Sequence, residues 1–293
     1  MTLAAVQDAQ ATNVAAVVCQ TVLVLGGLAA MTWSIRRARR AAPAGVEPWR
    51  ASLLDFGIWV WLICFAFYAG MNLFRVAYPP PASQPPGTRY VLLQACVFQL
   101  SALAMQIALL WSKRSFSPAP FNRVSLSALR IVGEGALAWL AAFPLFTLVS
   151  WVWQLALELA QKTWTNLETP LQEPVKILTH SSSITEKALV IFFAVLVAPV
   201  AEELFFRGGV YRFLKSRLPA NLAVVMASAF FALSHFNLES LLPLFVLGWL
   251  LARLYERTGH IAAPMVFHAL FNLAMILLTL AFPDSTVSAQ PTP

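Results

Sequence analysis

Eight apolar stretches, roughly 14–35, 52–74, 90–112, 131–157, 188–209, 220–238, 240–257 and 261–282, follow one another with mostly short polar connections. Segments of this length and hydropathy suit a bilayer, where each backbone N–H and C=O must be satisfied within its own helix. With 59% hydrophobic and 11% charged residues, a water-soluble domain is excluded. The expected architecture is an all-α polytopic membrane protein of about eight transmembrane helices. The Pro-rich loop Tyr78–Gly87 cannot continue a helix. The segment 160–187 is the longest polar connection and is expected to carry a short amphipathic piece at the membrane surface. Residues 284–293 read as a disordered tail. No internal repeat is visible.

Net charge +7 does not point to nucleic acid, because the basic residues sit in connections between apolar spans. If the N-terminus lies outside, fifteen lysines and arginines fall inside: Arg36, Arg37, Arg39, Arg40, Arg50, Lys113, Arg114, Arg123, Arg130, Arg207, Arg212, Lys215, Arg217, Arg253 and Arg257. Five fall outside: Arg75, Arg89, Lys162, Lys176 and Lys187. The expected placement is therefore an integral protein of a bacterial inner membrane with both termini outside. The Arg/Ala/Pro-rich composition and the absence of targeting signals support the bacterial setting. The N-terminus carries Asp8 and no basic n-region, so its first span reads as an uncleaved anchor. Cys19, Cys64 and Cys96 lack metal or disulfide spacing and read as packing residues. Asp55 and Glu134 lie near the inner edges of spans two and four, and Glu134, one turn from Arg130, is expected to form a satisfied surface pair.

Against this background Pro199–Gly209 (PVAEELFFRGG) is anomalous, because Glu202, Glu203 and Arg207 lie within an apolar span. Each charge at such depth costs at least a few kcal/mol, which makes it a functional candidate. On a helix Glu203 and Arg207 can pair, while Glu202 is turned about 100° away. A buried structural ion cluster is the plain alternative. Of four histidines, His180 and His260 sit in loops and read as bystanders. His235 closes an apolar helix, and His268 opens His268-Ala-Leu-Phe-Asn272, which puts an imidazole and an amide on one face. A lone histidine in such a helix is usually a packing residue, but two of them beside an amide and a Glu-Glu-Arg cluster indicate a site.

Leu218-Pro219 reads as the tip of a helical hairpin, and equal spacing from that tip would bring Glu202 level with His235. The same counting at about 1.5 Å per residue leaves His268 about 10 Å below, unless tilt or a break at Pro243 or Gly248 absorbs the offset. If these groups meet, a desolvated carboxylate can act as a general base near neutral pH, sharing one water with an imidazole. An imidazole N–H beside an Asn amide suits an oxyanion hole. Ser228 and Ser234 lie in no nucleophile motif, so hydrolysis by activated water is the expected chemistry.

Glu202-Glu203-x-x-x-Arg207, Phe231-x-x-x-His235 and His268-x-x-x-Asn272 together resemble, in type, order and helical setting, the three motifs of the CAAX protease and bacteriocin-processing (CPBP, or ABI) family. That family includes the type II CAAX prenyl endopeptidases. The likeness covers about the last hundred residues. It implies an eight-helix intramembrane glutamic-type endopeptidase whose site opens toward the cytoplasm. By motif, Glu202 and His235 would activate the water, His268 and Asn272 would hold the oxyanion, and Glu203 and Arg207 would support the site. Residues 1–130 then form N-terminal membrane helices, and 131–283 form the catalytic group.

The implied partners are the lipid bilayer and a membrane-associated protein or peptide substrate. No cofactor is expected, with a zinc-dependent version as the nearest rival: Glu202, His235 and His268 are acceptable ligands, but His-Glu-x-x-His is absent. Other readings are a membrane peptide-binding or bacteriocin self-immunity protein, and a transporter. The missing inverted repeat argues against the last.

Overall fold

The computed structural model describes residues 3–38, 43–80, 87–112, 122–163, 177–179, 181 and 183–281, with backbone alone for 3–16, 19 and 38. Among the described residues all regular structure is helical. The eight longer helices are α1 (Leu3–Ala38), α2 (Leu53–Ala77), α3 (Thr88–Ser112), α4 (Ala128–Thr163), α5 (Ile184–Lys215), α6 (Ala220–Leu233), α7 (Leu241–Thr258) and α8 (Ala262–Ala281). Five of them, α2, α3, α4, α5 and α8, are long and apolar enough to cross a membrane. α6 is apolar but has only 14 residues, and the 18-residue α7 carries Arg253, Glu256 and Arg257. His180, the stretch 164–176 and the tail 284–293 lie outside the described residues.

Three local departures from the sequence reading matter. The sixth span stops at Leu233 rather than 238, because Phe236 adopts a left-handed backbone (φ 48°) that no helix accepts. Asn237 Oδ1 then accepts from Ser240 N and Oγ, each at 2.8 Å, and launches α7. α7 itself runs unbroken through Pro243 and Gly248. The proline falls in its first turn, where its missing N–H costs nothing. α5 is continuous but contains two wider π-helical stretches, Phe193–Val197 and Leu204–Tyr211, flanking the two glutamates. Such insertions are frequent at functional sites.

α4 is the common backing, packing against α1, α7 and α8, while α2 pairs with α3 and α6 with α7. One apolar cluster joins Trp49 and Trp59 to Tyr211, Phe213 and Tyr255; a second joins Phe146, Phe231, Leu247, Leu251 and Phe267. Gly209 faces α2 at close range, since a Cβ there would lie 2.1 Å from the Trp59 ring.

The basic end is tied together by main-chain bonds. Gly45 N donates to Glu256 O (2.9 Å) and Trp49 N to Arg212 O (3.0 Å). Arg212 Nε donates to Glu47 O (2.7 Å), and Arg123 N to Gly259 O (2.8 Å). Glu134 is not the exposed partner of Arg130 that its spacing predicts. It is buried and held by Arg37 at 2.6 Å and Arg257 at 2.7 Å. Asp55 closes a capping box with Ser52 at the start of α2.

Candidate active site

α5 and α6 form the expected hairpin: the chain leaves the helix at Ser216 and re-enters after Pro219. His235, one residue past the cap of α6, brings Nε2 to 3.9 Å from Glu202 Oε2. His268 on α8 brings its Nε2 to 3.8 Å from the same oxygen. The 10 Å offset expected for His268 is therefore absent, although α7 has no break.

Each imidazole is fixed by its other nitrogen. His235 Nδ1 lies 2.7 Å from Phe231 O, one turn back. His268 Nδ1 lies 3.0 Å from Glu203 Oε1. A carbonyl and a carboxylate can only accept, so Nδ1 is the protonated nitrogen in both rings. In the neutral rings, both Nε2 lone pairs then face Glu202.

Glu203 is the anchor of this arrangement. It is fully buried (0% exposed), and Oε1 also accepts from Arg207 Nη1 at 2.9 Å. Arg207, 2% exposed, spends a second donor on Gly248 O at 3.2 Å and stacks 4.5 Å from the Phe231 ring centre. Arg207, counted with the inner-side cations by chain order, is the internal partner of Glu203 that their spacing predicts. Glu202 is different. Its side chain is 26% exposed, and Oε2 has no hydrogen-bond partner among the protein atoms.

Asn272 lies one turn beyond His268 and donates Nδ2 to Ala194 O at 2.7 Å. That carbonyl is free for a reason visible in the sequence. Within the first π-helical stretch Ala198 N donates to Phe193 O, five residues back. The next donor in that register would be residue 199, and Pro199 has no N–H, which leaves Ala194 O to Asn272. The second N–H of the amide is not used by this bond.

Both serines in question give their hydroxyls to their own helix, Ser228 to Val224 O and Ser234 to Phe231 O. His260 sits in the α7–α8 turn, where Nδ1 accepts from Ala262 N and burial lowers its pKa. Two contributors escape the motifs: Gly248, which acts through its carbonyl, and Trp153, whose Nε1 donates to Leu238 O at 2.9 Å and ties the His235 turn to α4. Among the described residues no group of three or more His, Cys, Asp or Glu side chains is disposed to hold a metal ion.

Residues 184–274 match a family profile described as "Type II CAAX prenyl endopeptidase Rce1-like", a stretch that holds all three motifs. Over this region the chain is similar to the CPBP family. A Bacillus subtilis relative, "Putative membrane peptidase YdiL", is 29% identical over 92 residues, covering 31% of this chain and 38% of that one. The CPBP likeness thus spans well under half of either protein. No solved structure matches significantly.

Proposed function

We propose that this chain is an intramembrane endopeptidase that hydrolyses a peptide bond of a membrane-associated protein or peptide, of CAAX or bacteriocin-like type, with water activated by Glu202 and His235. The carrying observation is the convergence of two tethered imidazole nitrogens on one carboxylate oxygen, 3.9 and 3.8 Å away. A water about 2.8 Å from each of three such atoms has normal hydrogen-bond lengths.

Glu202 takes the water proton as its oxygen attacks the scissile carbonyl, forming the C–O bond. The oxyanion lies toward α8, where Asn272 retains an N–H. His268 enters the step already protonated at Nε2, by a proton taken from bulk water before attack and kept throughout, and is a second donor with Glu203 as its counter-ion. The proton passes through His235 to the amine as the C–N bond breaks. Arg207 holds Glu203 in place through the Nη1–Oε1 bond.

The test is processing of candidate membrane peptides by Glu202→Ala and His235→Ala, each in a chain that still inserts. Loss of general-base work is expected to slow cleavage at least about 10²–10⁴-fold. Wild-type rates in both variants would end the reading. Retained binding with no cleavage by any form would indicate a peptide-binding protein instead.

A further inference from the structure

We infer that Pro199 is a positioning residue: by withholding an N–H from its own helix it reserves the Ala194 carbonyl for Asn272, and so aims that amide.

Two backbone donors of α5 could reach Ala194 O. In the ordinary register the donor is residue 198, four residues on; in the wide register it is residue 199, five residues on. The π-helical stretch turns Ala198 N to Phe193 O instead, and Pro199 has no N–H to give. An unpaired carbonyl within a membrane span is costly unless a neighbouring side chain supplies the donor. Asn272 Nδ2, from α8, fills that place at 2.7 Å. Pro199 is itself fully buried and stands three residues before Glu202. The device therefore lies within one turn of the carboxylate it serves.

Pro144 in α4 makes the contrast. It likewise cannot bond the carbonyl four residues back, Leu140 O. That oxygen faces the backbone of α1, since a Cβ at Gly27 would lie 2.7 Å from it. There the missing N–H goes with a close approach of two helices. At Pro199 it recruits a polar side chain of the site.

The amide of Asn272 has two hydrogens. With one pinned on Ala194 O, the amide plane is set and the other keeps a fixed direction. On the peptidase reading, on which this step rests, that second N–H is the one that meets the oxyanion. Pro199 acts on the reaction only through Asn272.

Pro199→Ala supplies Ala194 O with a backbone donor in either register: residue 199 if the turn stays wide, residue 198 if it narrows. The experiment is a double-mutant cycle of Pro199→Ala with Asn272→Ala in the full chain, read as unfolding by SDS in mixed micelles. Asn272→Ala alone strands the carbonyl, whereas beside Pro199→Ala the backbone satisfies it. The second background should therefore reduce the effect of Asn272→Ala on the unfolding constant by roughly fivefold, the worth of one hydrogen bond. Pro144→Ala serves as the control and should combine additively with Asn272→Ala. Additivity of Pro199→Ala with Asn272→Ala to within about twofold, or equal coupling from Pro144→Ala, overturns the inference. Pro199→Gly adds the same N–H and takes its place if the alanine chain fails to insert.

The second arm uses a membrane peptide that the wild-type chain cuts. Pro199→Ala should lower kcat about tenfold or more with KM little changed, because a misaimed donor is lost from the transition state. Both substitutions together should lose less than the product of the single losses. Wild-type kcat in Pro199→Ala, or losses that multiply, overturns the positioning role. Stability coupling in a chain of which no form cuts any peptide upholds the acceptor assignment and counts against the peptidase reading instead.

Discussion

His268 gives its Nδ1–H to Glu203 Oε1 across 3.0 Å, and that bond decides what the other edge of the ring offers. Glu203 cannot donate, so Nε2 is left as a base or as the place for an added proton. The same oxygen takes Arg207. One buried carboxylate thus orients both the imidazole and the guanidinium, and Glu202 beside it makes no direct bond to protein. The Glu-Glu pair differs by burial: Glu203 is fully buried and bonded to both His268 and Arg207, and Glu202 is 26% exposed.

Glu203→Gln keeps the shape of the anchor and removes its charge, stranding a buried cation. Loss of one partner of a buried pair is expected to cost about 3–5 kcal/mol, read as an earlier thermal unfolding in detergent. Adding Arg207→Met should return most of the stability by removing the unpaired charge. Activity should stay low in the double variant, because His268 has still lost its carboxylate. Recovery of activity together with stability would reduce the cluster to a structural ion pair.

Gly209→Ala tests how α2 holds α5, the helix that carries both glutamates. The new methyl would lie 2.1 Å from the Trp59 ring, so α2 and α5 must separate. Overpacking of this kind costs about 1–3 kcal/mol. Trp59→Ala alone leaves a cavity and is also destabilising. Combining the two should cost less than the sum of the single effects, as expected for residues in contact. Strict additivity would show that the two helices do not meet at this point.

Trp153→Phe removes the donor that ties Leu238 O to α4 and keeps most of the ring. A hydrogen bond of this kind is worth about 1 kcal/mol, so global stability should change little. The turn carrying His235 loses a tether, and kcat is expected to fall roughly five- to tenfold, since one such bond corresponds to about that factor. An unchanged kcat would mean the turn needs no support from α4.

Much of this site was legible before any coordinates. Charges in an apolar span mark themselves, and the Leu218-Pro219 tip sets Glu202 level with His235. His268 was misplaced because counting residues down α7 and up α8 assumes parallel, untilted rods, and no sequence signal sets their tilt. Glu134 was misassigned for a related reason: its real partners, Arg37 and Arg257, are 97 and 123 residues away, and spacing reports only neighbours along one helix. Gly248 carries no side-chain signal, since it acts through its carbonyl. The crossing count also depends on more than hydropathy. α6 was read as a full span, yet its helix ends early at a left-handed residue that no apolar pattern announces.

Sensitivity to metal removal separates the two hydrolytic chemistries these residues permit. Glu202 Oε2 stands 3.9 and 3.8 Å from the two Nε2 atoms. A tetrahedral zinc with bonds of ~2.1 Å would draw its ligand atoms to about 3.4 Å. A tetrahedral water at ~2.8 Å would set them about 4.6 Å apart, so the spacing falls between the two and the chelator decides. On the proposed glutamate–histidine mechanism, cleavage should survive prolonged treatment with a tight chelator. Loss of activity under the chelator, restored by zinc, would assign Glu202, His235 and His268 as ligands and shift the water's activation from the carboxylate to the metal.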